Sequence, residues 1–213
     1  MVKKEEPTKL EGPVGQLEAL LTFPQDPSSQ TTVIICHPHP LYGGTMSNKV
    51  VTTLARTFDE MGYQTVRFNF RGVGKSEGIY GEAIGEIDDL LAVLSWVRQR
   101  FPEHKVWLAG FSFGSHITAQ VAARDHRIEQ LVSIAPPVNH FNFQNTNDVS
   151  CPWLVVMGEE DEVVPVEDVR KWLTTAKPPI QSVFLPGVTH FFHGRLVELR
   201  EVIQAAVVRD QLL

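Results

Sequence analysis

Residues 110–114 read Gly-Phe-Ser-Phe-Gly, directly after the apolar run KVWLA and directly before SHITAQVAAR. A serine between glycines at a strand-to-helix junction can be held in a strained turn, with its hydroxyl exposed above a sheet. Such a hydroxyl becomes a nucleophile for acyl transfer once a base takes its proton and a third group orients the base. Gly74-Lys75-Ser76-Glu77-Gly78 carries the same letters, but RGV separates it from its strand and the loose stretch IYGEA follows it. Without an elbow, Ser76 reads as a loop serine. The Gly-Lys-Ser inside that stretch would also need a glycine five residues earlier to cradle phosphate, and position 69 is Asn. Ser112 is the candidate nucleophile.

A partner acid and base should follow later strands. After WLVVM comes GEEDEVVP (158–165), whose carboxylates Glu159, Glu160, Asp161 and Glu162 are all candidates, the alternative being an acidic solvated loop. After the next strand comes PGVTHFFH (186–193), which offers His190 and His193 as bases. An acyl-transfer site also needs backbone N–H donors aimed at the developing oxyanion. One is expected from Phe113, the residue after the nucleophile, and the other from CHPHPLYGGT (36–45). Pro38 and Pro40 have no N–H, which leaves His39 and Leu41. His37 and His39 could instead ligate a metal, but no third ligand with convincing spacing accompanies them. Neither a metal nor a cofactor is expected.

These residues must be carried by something. Strands are expected at 31–36, 64–70, 105–109, 130–135, 153–157 and 180–185, several of them apolar almost throughout, as strands buried on both faces are. Between them lie helices at 47–61, 83–100, 115–124, 166–175 and 194–210. Within 83–100, Ile84, Ile87, Leu91, Leu94 and Val97 recur at helical spacing and should share one face. Gly62 and Pro102 stop the first two helices. Segment 14–23 could add an antiparallel edge strand. The alternation implies an α/β class fold, a mostly parallel central sheet with helices on both faces, and a ligand site outside the carboxyl ends of its strands.

Bulk properties agree with this frame. The 213 residues fit a single domain spanning 1–213, with 43% hydrophobic and 21% charged residues. The formal net charge of −6 argues against nucleic acid as a partner. Neither a membrane-spanning run nor a secretory signal is evident, so a cytoplasmic location is expected. Cys36 and Cys151 fall at opposite ends of different parallel strands, about 17–20 Å apart along the strand axis, and should remain free thiols. Oligomeric state is left open.

Taken together, CHPHPLYGGTMSNKV, VRFNFRGVGKSEG, GFSFG, GEEDEVVP and GVTHFFHGRL resemble the α/β-hydrolase superfamily, in particular small lidless bacterial hydrolases similar to dienelactone hydrolase. The resemblance runs from about residue 33 to 196. It implies a serine hydrolase without a cap domain, acting on a small acyl substrate. The chain order Ser, acid, His is the one this fold uses. The family's Gly-x-x-Asp-x-x-Val-Pro pattern maps onto Gly158, Asp161, Val164 and Pro165, which selects Asp161 as the acid. The histidine before the aromatic pair maps onto His190, which leaves His193 a supporting or helix-capping role. Lids in this fold are inserted after the strand at 130–135, and residues 136–152 are too few for one. An open site preferring short acyl groups follows, with His140, Phe141 and Phe143 as candidate walls, the alternative being ordinary packing of that loop onto the core. Thioester or peptide cleavage on the same residues, or a binding protein that has lost catalysis, are the alternatives.

Overall fold

The computed structural model describes residues 4–143, 146–177 and 180–210. In chain order its strands are β1 (Lys4–Gly12), β2 (Gly15–Phe23), β3 (Thr31–Cys36), β4 (Gln64–Phe68), β5 (Lys105–Phe111), β6 (Ile128–Ile134), β7 (Trp153–Gly158) and β8 (Gln181–Leu185). The helices are α1 (Lys49–Glu60), α2 (Ile84–Arg100), α3 (Phe113–Ala122), α4 (Val166–Thr175) and α5 (Leu196–Asp210). They build one eight-stranded sheet of order β1-β2-β4-β3-β5-β6-β7-β8. The pairs from β4 to β8 are parallel, and β2 joins β1 and β4 antiparallel.

Every residue of β3, β4 and β7 is buried, as expected of strands covered on both faces. The chain leaves β3 toward β4 on one side, while β5 leads to β6 on the other. β3 and β5 are neighbours, so a crevice opens between the loops at their carboxyl ends. That crevice holds the candidate site.

The structure corrects the sequence reading at several elements. Segment 14–23 forms β2, but the sheet edge is β1, a strand not anticipated. β1 carries Lys4, Glu5, Glu6, Pro7 and Lys9 and buries only Leu10, so it lacks the apolar signature of the central strands. Charge and proline are what a protected edge uses. Second, the buried stripe of α2 includes Ile87, Leu90, Val93, Leu94 and Val97, while Ile84 and Leu91 are exposed. Third, the strand expected over 64–70 ends at Phe68. The Asn69 N–H goes instead to Glu18 O and the Phe70 N–H to the His37 imidazole.

Cys36 and Cys151 are free and buried, and burial pushes both thiols up, so neither is a ready thiolate. Among the described residues, no helix is long and apolar enough to cross a membrane.

Candidate active site

Ser112 stands at the junction of β5 and α3 with φ +50° and ψ −120°, a conformation that L-residues avoid unless their surroundings impose it. Its N–H donates to Ile134 O at 2.8 Å, and its carbonyl accepts the Ser115 N–H at 2.8 Å. The flanking glycines permit the turn by close approach. A Cβ on Gly110 would lie 2.4 Å from the Gly114 carbonyl group, and one on Gly114 would lie 2.4 Å from Cys36 O. The start of α3 thereby packs against the end of β3. α3 begins two residues earlier than expected, at Phe113, whose N–H lies in the first turn and has no partner within the helix.

The loop after β7 brings Asp161 beneath the loop after β8. Asp161 Oδ1 accepts the N–H groups of Val163 (2.9 Å) and Val164 (2.7 Å), and Oδ2 accepts the His190 Nδ1–H at 2.7 Å. The Asp161 side chain is fully buried and the His190 side chain nearly so. With Nδ1 protonated, His190 Nε2 is an acceptor, and it lies 3.1 Å from Ser112 Oγ. Of the other carboxylates in that loop, Glu159 pairs with Arg170 and Glu160 is exposed. Glu162 Oε2 accepts the backbone N–H of His190 at 3.0 Å, a contact the sequence reading did not foresee. His193 is exposed, lies three residues before α5, and has its ring centre 5.8 Å from that of Phe191.

The loop after β3 carries the other candidates. His37 is buried, with Nδ1–H donating to Pro38 O at 2.6 Å and Nε2 accepting the Phe70 N–H at 3.0 Å. Burial lowers its pKa to about 4. Both ring nitrogens are therefore engaged in joining the exits of β3 and β4. His39 precedes a short 3-10 turn, Pro40–Tyr42, and its Nδ1 accepts the Leu41 N–H at 3.2 Å. The Leu41 donor is thus spent on the turn, and its side chain is 66% exposed. Of the two residues left open in this loop, His39 retains an N–H beside the crevice.

Between these loops lies a cavity of about 490 Å³, bordered by Ser112 and His190 and walled by His39, Tyr42, Phe113, Phe141 and Phe191 among others. Among the described residues, no Lys, Arg, Asp or Glu lines it. His140 and Phe141 border the cavity as expected. Phe143 does not: it is 3% exposed and packs on His116 and Trp172, ring centres 5.4 and 5.1 Å away. Ser76 is away from this cavity and buried, donating to Asn69 O at 2.7 Å and accepting the Glu18 N–H at 2.9 Å. Its hydroxyl ties the loop after β4 to β2.

A family model described as alpha/beta hydrolase fold matches residues 31–149. The chain belongs to the alpha/beta hydrolase family. Its fold is shared at 51% identity by an alpha-beta serine hydrolase homologue from Coxiella burnetii, with a TM-score of 0.91 over 95% of this chain and 97% of that one. A serine hydrolase without lid from Xanthomonas campestris is 41% identical, with a TM-score of 0.92 over 98% of this hydrolase and 96% of that chain. An uncharacterized protein of Rickettsia prowazekii is 32% identical over 209 residues, 94% of this chain and 87% of its own length.

Proposed function

We propose that this α/β hydrolase is a serine esterase of small, uncharged acyl substrates, with Ser112 as nucleophile, His190 as base and Asp161 as the acid. The observation that carries this reading is the linked pair of distances at His190: 2.7 Å from Nδ1 to Asp161 and 3.1 Å from Nε2 to Ser112 Oγ. Asp161 holds the imidazole in the tautomer that leaves Nε2 free to accept the serine proton. As Ser112 Oγ attacks the ester carbonyl, His190 takes that proton and becomes an imidazolium stabilised by Asp161. The tetrahedral oxyanion is received by the N–H groups of Phe113 and His39. Each such donor contributes about 2.7–4 kcal/mol of transition-state stabilisation in comparable sites. His190 then protonates the departing alcohol, and water resolves the acyl-enzyme by the same route in reverse.

The cavity supports the substrate class. Its walls are aromatic and uncharged, so an anionic acyl group would lose hydration without meeting a cation. Residues 136–152 are too short for a helical cap, so a long alkyl chain would remain partly in water and gain little from burial. Hydrolysis of p-nitrophenyl esters of increasing chain length tests both points. Acetate and butyrate should be cleaved well, longer chains and a hemisuccinate poorly, and Ser112→Ala should cleave none. A clear preference for long or anionic acyl groups would contradict this substrate class.

A further inference from the structure

Tyr80 sits on the loop after β4, and its Oη lies 3.2 Å from His39 Nε2. The tautomer follows from the other ring nitrogen. His39 Nδ1 accepts the Leu41 N–H, so the ring proton is on Nε2, and the Tyr80 oxygen is its acceptor. The rings pack as well: His39 lies 5.0 Å from Tyr80, 4.8 Å from Tyr42 and 4.9 Å from Phe113, centre to centre. His39 is thus gripped through both nitrogens and by three rings, one of them belonging to the residue after the nucleophile.

The segment that presents Tyr80 is held with equal care. Glu82 and Ala83 are consecutive non-glycine residues at φ +55° and +66°, a strained arrangement that persists only where the surroundings impose it. The imposing group is Glu86, a fully buried carboxylate that accepts the Gly81 N–H at 2.8 Å and the Ala83 N–H at 2.9 Å. Below it, Arg71 and the buried Asp89 form a two-pronged ion pair, with Asp89 also accepting the Arg71 N–H. Backbone strain and two buried carboxylates are spent on a loop that, at Tyr80, touches the oxyanion turn.

We propose that Tyr80 is a positioning residue for hydrolysis: by accepting the His39 Nε2–H it fixes the turn whose His39 N–H receives the oxyanion. This rests on the serine-esterase reading above. Tyr80 does not touch the reacting atoms, so its hydroxyl should matter to the transition state more than to substrate binding.

The test is Tyr80→Phe, which keeps the ring that packs on His39 and removes only the oxygen. With p-nitrophenyl acetate, kcat should fall about tenfold, the worth of one modest hydrogen bond, while KM changes less than twofold. A short-chain trifluoromethyl ketone, whose adduct on the serine carries an oxyanion, should weaken by the same factor. In a His39→Ala background the Tyr80→Phe change should cost nothing further, because its route to the site is gone. An unchanged kcat, a loss confined to KM, or an equal loss with and without the His39 ring would each overturn the proposal. Ser112→Ala in the same assay separates the two levels. If it retained hydrolysis, the serine-esterase reading itself would fail, whereas an inactive Ser112→Ala beside a fully active Tyr80→Phe would sink the Tyr80 proposal alone.

Discussion

The carboxylate of Glu162 accepts the main-chain N–H of His190 at 3.0 Å, while its neighbour Asp161 accepts the ring Nδ1–H of the same residue at 2.7 Å. Two adjacent carboxylates therefore hold the candidate base, one by its backbone and one by its ring. Removing the backbone anchor should loosen the loop without changing the tautomer. Glu162→Ala is expected to lower kcat about threefold to tenfold, the range of one lost hydrogen bond. Glu162→Gln, whose amide oxygen can still accept, should recover most of that loss. Steady-state kinetics on a short ester decides it, and equal damage from both variants would show that charge, not the backbone contact, matters.

The two histidines of GVTHFFH should behave differently. His190 is buried and hydrogen-bonded to both Ser112 and Asp161, whereas His193 is exposed and its ring lies beside that of Phe191. His190→Ala should abolish turnover, since a general base must lie within hydrogen-bond reach of its proton. His193→Ala should stay within about twofold of the unmodified enzyme. Loss of activity in folded His193→Ala with retention in His190→Ala would reassign the base.

The order of strands and helices was legible in the sequence because apolar β-branched runs and amphipathic stretches alternate cleanly from residue 31 onward. The carboxyl ends of those strands then pointed to the loops that hold Ser112, Asp161 and His190. β1 was not legible, because an edge strand protected by lysine, glutamate and proline looks like a polar tail. Contacts that join distant loops were also hidden. Tyr80 lies 41 positions from His39, and no local spacing links them, although both follow strand ends and the same positional rule would have flagged Tyr80. The place of Phe143 in the connection 136–152 leaves both a pocket wall and loop packing open, and only its contact with Trp172 decides for the core.

Acid should destabilise the fold through buried histidines. Burial lowers His37 and His116 to about 4, below the roughly 6.5 of an unfolded chain. Between those values the unfolded chain takes up protons that the folded one excludes, so stability present above pH 6.5 is lost as pH falls toward 4. For each histidine the loss is on the order of 2–3 kcal/mol by pH 4.5. Among the described residues His116 Nδ1 has no hydrogen-bond partner, and the ring stacks on Phe141, ring centres 4.7 Å apart, so a phenyl ring should replace it with little cost at neutral pH. The drop in Tm between pH 7 and 4.5 should be smaller for His116→Phe than for the unmodified protein. Equal drops would remove His116 from the account.

The central claim is that Ser112, and no other residue, is the nucleophile that His190 activates. Intact-mass measurement after exposure to a fluorophosphonate, followed by peptide mapping, tests it directly. One adduct per chain is predicted, on the peptide that contains Ser112, with none on Ser112→Ala and full labelling of Ser76→Ala. Labelling that persists in Ser112→Ala, or a folded protein that takes no label at all, would contradict the assignment.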